Sequence, residues 1–139
     1  MVILPSAVRA KSAVGSPFNT DFRLPQEFRG VIFRLKVTAS GGTTPTLDVK
    51  FQSYDDAAAE YFDLFDTQSA REAVAFVQAT GAVTQDMLIY PGIMQGAVVE
   101  GTTNMYRLTG LPVRLRAVCT YGADADETFT FSLAAIPLR

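Results

Sequence analysis

Two stretches of the 139-residue chain alternate apolar and polar side chains with a period of two, and this alternation constrains the fold more than any other feature. In residues 30–51, Val31, Phe33, Leu35 and Val37 alternate with Ile32, Arg34, Lys36 and Thr38. After a turn carrying Gly41, Gly42 and Pro45, Leu47, Val49 and Phe51 alternate with Asp48, Lys50 and Gln52. Residues 111–133 repeat the device. Val113, Leu115, Ala117 and Cys119 alternate with Arg114, Arg116, Val118 and Thr120, and beyond the Gly122 turn Phe129, Phe131 and Leu133 alternate with Thr128, Thr130 and Ser132. Successive side chains of a strand point to opposite faces, so each stretch turns one apolar face to a core and one polar face to water. Each reads as a hairpin-like unit of strand, turn and strand, and two such units suit antiparallel sheets packed as a sandwich.

The remaining chain adds further strand candidates at Tyr61–Phe65, Ala73–Thr80, Ala82–Tyr90 and Met105–Leu108. Asp66–Ala73 reads equally as one helical turn or a loop, Pro91-Gly92 marks a turn, and Gly92–Gly101 is a glycine-rich connection. Seven to nine strands with turn signals about every ten residues predict an all-β fold, an antiparallel β-sandwich of jelly-roll or Greek-key type. The length suits one such domain, residues 30–139, preceded by an extended N-terminal arm, residues 1–29. Pro5, Pro17 and Pro25 favour extended structure over helix in the arm, which carries apolar clusters at Val2–Leu4 and Phe18–Phe22. Such an arm either lies on its own sheet as an edge strand or reaches onto a neighbour, and the pattern does not separate the two. Ile3, Leu4, Phe18 and Phe22 are its candidate partner-binding anchors.

The chemistry available is limited. Histidine is absent, which removes the usual general base, nucleophile activator and transition-metal ligand, so no enzymatic activity and no cofactor or metal are expected. Carboxylates cluster at Asp55 with Asp56, at Asp63 with Asp66, and at Asp124 with Asp126 and Glu127, all read as solvated turn charges. The last group alternates like the start of a calcium loop but lacks the distal ligands of one. A net charge of −2 provides no field for nucleic acid or an anionic membrane. Arg34, Lys36 and Lys50 share a predicted outward face, where Asp48 offers a cross-strand partner. Nine of the 12 cations are arginine, a residue suited to carboxylates at interfaces. Cys119, on the apolar face, reads as a buried free thiol, and the N-terminus lacks the apolar run of a leader or membrane helix, so the chain is expected in cytosol.

The text Val37-Thr-Ala-Ser-Gly-Gly-Thr-Thr-Pro-Thr-Leu-Asp-Val-Lys-Phe51, with Phe129-Thr-Phe-Ser-Leu133 near the C-terminus, resembles small tailed-phage virion proteins. The similarity spans residues 30–54 and 111–136, and it departs at the second turn, Gly122-Ala-Asp-Ala-Asp-Glu127. The resemblance implies a head decoration, or cement, protein of jelly-roll type, assembled in the host cytoplasm onto the virion. Its implied partners are the major capsid protein and copies of itself, as a homotrimer, with neighbouring capsid subunits clamped at the outer surface. It carries no catalytic residues over. Two alternatives stand beside it: another virion component of the tail, neck or fibre base, and a carbohydrate-binding jelly roll. The second would have to stack sugars on Tyr54, Tyr61, Tyr90, Tyr106 or Tyr121, since there is no tryptophan.

Overall fold

The computed structural model describes residues 1–64, 74–91, 103–106 and 112–139, the backbone alone for 103–106. Nine strands and one helical turn lie within these residues. They are β1 (Val2–Ala10), α1 (Lys11–Val14), β2 (Phe18–Arg23), β3 (Gly30–Gly41), β4 (Leu47–Asp55), β5 (Glu60–Asp63), β6 (Val83–Ile89), β7 (Thr103–Tyr106), β8 (Arg114–Tyr121) and β9 (Thr128–Leu138). They form a β-sandwich. One sheet has the order β1-β9-β3-β6-β7, antiparallel except that β7 runs parallel to β6, and the other the order β2-β8-β4-β5, antiparallel throughout.

The alternation read from the sequence is the alternation of burial. Val31, Phe33, Leu35, Val37, Leu47, Val49, Phe51, Leu115, Ala117, Cys119, Phe129, Phe131 and Leu133 are all buried in the core. Phe33 and Phe51 stack across the two sheets with centroids 4.3 Å apart, and Phe22 meets both edge-on. Aromatic contacts of this geometry add to what burial of the rings contributes.

The two similar stretches are not hairpins. β3 lies in one sheet and β4 in the other, and the same is true of β8 and β9, so each turn is an arch that carries the chain across the core. The ladder partners of β3 are β6 and β9, and those of β4 are β5 and β8. Period two shows which side of a strand faces the core. It is the same whether the next strand lies alongside or opposite. The arches also account for the likeness of the two stretches: exchanging β3 with β8, β4 with β9, β1 with β5 and β2 with β6 converts the order of one four-stranded core into that of the other. The stretches occupy equivalent places in a two-fold arrangement.

The strands nest as four antiparallel pairs, β1 with β9, β2 with β8, β3 with β6 and β4 with β5. Residues 74–79 do not form a full strand. They extend the β5 edge along the first half of β4, with bridges at Leu47 to Ala79 and Lys50 to Ala75. Gln85, 3 % exposed on β6, ties this segment to the opposite sheet: its amide accepts from Val77 N at 2.9 Å and donates to Val77 O at 2.8 Å. The Asp66–Ala73 turn or loop, Asp66 itself, Gly92–Gly101 and Arg107-Leu108 fall outside the described residues.

Candidate interaction surface

Residues 1–29 divide between the sheets. β1 pairs with β9 as one edge of the first sheet, α1 crosses over, and β2 pairs with β8 as one edge of the second. The prolines leave room for the single helical turn Lys11–Val14 between Pro5 and Pro17. All four anchors, Ile3, Leu4, Phe18 and Phe22, are partly buried against the core of the same chain. Phe18 lies 6.0 Å from Tyr121 and 6.3 Å from Phe131. Arg9 fixes β1: its guanidinium, turned inward and buried, donates to Phe131 O (2.7 Å), Pro5 O (2.6 Å) and Ala7 O (3.2 Å), and lies over the Phe131 ring. By drawing in the carbonyls of Pro5 and Ala7 it accompanies the two register shifts between Val2 and Ala7, which deform this edge against pairing with another strand.

The two arches meet at one end of the sandwich. Gly42 has φ +114°, a conformation that favours glycine, and packs against Asp126 and Glu127 of the other arch. Asp124 accepts from Thr44 N (3.1 Å) and Oγ1 (2.6 Å), and Lys11 Nζ donates to the carbonyls of Gly122 and Asp124 (3.0 Å to the latter). Glu127 is not a solvated turn charge. It is fully buried, with Oε1 accepting from Thr46 N at 3.2 Å and Oε2 lacking a hydrogen-bond partner among the described residues. Burial follows from the arch, which carries the residue into the gap between the sheets. Gly122 accommodates it: a Cβ there would stand 2.5 Å from Glu127 Oε1. Asp55 closes the β4–β5 turn by accepting from Ala57 N and Ala58 N. Among the described residues no three acidic or cysteine side chains converge as a metal site. Burial pushes the Cys119 thiol up to about 12.

The outward faces hold the charge pairs. Arg34 pairs with Asp86, Arg116 with Asp21 and Lys50 with Asp63. Among the described residues Asp48 makes no ion pair but accepts from Gln78 Nε2 at 2.9 Å. The guanidinium of Arg116 holds Asp21 below its ordinary 3.8, and that of Arg34 does the same for Asp86. Burial alone would raise Asp63, but hydrogen bonds from Lys50 and Gln52 outweigh it and hold it low. A carboxyl depressed in the folded state stabilises the fold above its unfolded value and loses that contribution as pH falls through its folded value. Urea midpoints are therefore expected to fall as pH drops below 3.8, and to fall less in Asp86→Asn, which no longer gains or loses the Arg34 pair. An equal acid response in that variant would refute the assignment.

On the outward face of the second sheet, register sets Arg23, Arg114, Tyr54 and Tyr61 in one row and Asp21, Arg116, Gln52 and Asp63 in the next. Arg114 lies 3.6 Å over the Tyr54 ring and Arg116 3.7 Å over the Tyr61 ring, while the two rings meet edge to face at 5.0 Å. The sequence does not reveal this cluster, because its members come from four strands and meet only through the ladder. Comparison with protein-family models, with curated proteins and with solved structures found no match to the chain.

Proposed function

We propose that the chain is a virion structural protein, a head decoration or cement protein that binds the outer capsid surface, stabilises contacts between major capsid subunits and assembles as a homotrimer. The observation that carries this reading is the placement of residues 1–23, which supply an edge strand to each sheet through backbone pairing and four half-buried anchors. A segment held in this way can be exchanged with an identical one from another copy without loss of a contact, and closed symmetry then turns modest contacts into avidity. The strand order supports the jelly-roll form of the sandwich, since nested pairs β1·β9, β2·β8, β3·β6 and β4·β5 make a doubled ribbon wound across two sheets. The resemblance of residues 30–54 and 111–136 to small phage virion proteins supports the location.

Cysteines placed at Val8 and Thr130, which are ladder partners of β1 and β9, test the exchange. Oxidation of Val8→Cys/Thr130→Cys is expected to give covalent trimers on a non-reducing gel, with three chain masses by light scattering before oxidation. Covalent monomers from a monomeric solution would reject exchange and trimer together.

A further inference from the structure

We propose that the outward face of β2, β8, β4 and β5 is a docking surface for an acidic polypeptide segment, gripped by Arg23 and Arg114 and ordered by Tyr54 and Tyr61. Arg23 and Arg114 are directly opposed across the β2–β8 ladder. Like charges in that position repel, and within the chain the charge of Arg114 is offset only in part, by Asp21 of the next row, whose carboxyl it helps to hold low, and by the two tyrosines. The next row shows the contrasting solution, where Asp21 stands opposite Arg116 and pairs with it at 2.7 Å. Among the described residues neither Arg23 nor Arg114 has a carboxylate within ion-pair distance.

Arg114 is nevertheless held in place. Its guanidinium sits 3.6 Å over the Tyr54 ring, which restrains it and lowers the ordering cost of receiving a carboxylate. Arg23, exposed at the end of β2, supplies a second cation beside it. Sugar stacking fits this face poorly, because each tyrosine has a guanidinium over its ring and the two rings meet edge to face. The overall charge of −2 makes the row a local reversal of sign, complementary to acidic and not to basic partners.

The inference rests on the adhesive reading given above but is tested apart from it. Hexaglutamate peptide is titrated calorimetrically into the full chain, into Arg23→Gln/Arg114→Gln, and into Arg34→Gln, whose arginine is paired on the opposite sheet; maltohexaose is the comparison ligand. The full chain is expected to bind the peptide, with an affinity that falls as salt rises and weakens about tenfold in the double variant. Arg34→Gln is expected to bind as the full chain does. Absence of peptide binding, equal weakening in Arg34→Gln, or tighter binding of maltohexaose overturns the proposal. None of these outcomes alters the cross-linking result on which strand exchange stands.

Discussion

Phe51→Ala is expected to lower the unfolding free energy by about 4 kcal/mol and the thermal midpoint by roughly 10–15 °C. Phe51 is 1 % exposed, stacks on Phe33 at 4.3 Å and contacts the rings of Phe22 and Phe76 at 6.2 and 6.0 Å. It joins β4 to β3 across the core, to the edge strand β2, and to the 74–79 segment. Alanine would leave a cavity bordered by three rings on separate elements, and these elements cannot close in together without moving both sheets. Because the defect sits between the sheets, amide exchange is expected to accelerate in all strands alike. A loss below about 1 kcal/mol in chemical unfolding would show that the aromatic cluster does not hold the sheets together.

Arg9→Met is expected to cost about 3 kcal/mol, with a different signature. The guanidinium serves three carbonyls, those of Pro5, Ala7 and Phe131, and the thioether can serve none of them. The damage is confined to the β1 edge, so exchange should become fast at β1 while β4 and β8 stay protected. With the inward charge and its carbonyl ties gone, the straightened edge should also self-associate more readily. Uniform acceleration across all strands would contradict the local role given to Arg9.

These two residues also mark how far the sequence could be read. Phe51 was legible because strict alternation puts it on the core face whatever its neighbours are. The faces of β3, β4, β8 and β9 follow from that rule alone. Which strands lie side by side does not, because an arch and a hairpin have the same alternation and the same glycine-bearing turn. The anchors Ile3, Leu4, Phe18 and Phe22 stood out as apolar clusters, but their division between two sheets depends on the crossing at α1. Arg9, Gln85 and Glu127 were illegible for a common reason. Each is a polar side chain turned inward to satisfy backbone groups of another segment, at Phe131, Val77 and Thr46 respectively, which the alternation along its own strand or turn does not announce. The row of Arg23, Arg114, Tyr54 and Tyr61 depends on ladder register in the same way.

Strand β9 lies between β1 and β3 in its sheet yet is the last strand of the sandwich to leave the ribosome. Until residues 128–138 emerge, β1 has no partner to pair with in its own chain and β3 has an open flank. Neighbouring nascent chains on one messenger would therefore display the same unfilled slot at the same time. Under the proposed exchange, which copy of β1 fills it would be settled by local chain concentration during translation as much as by the stability of the finished sheet.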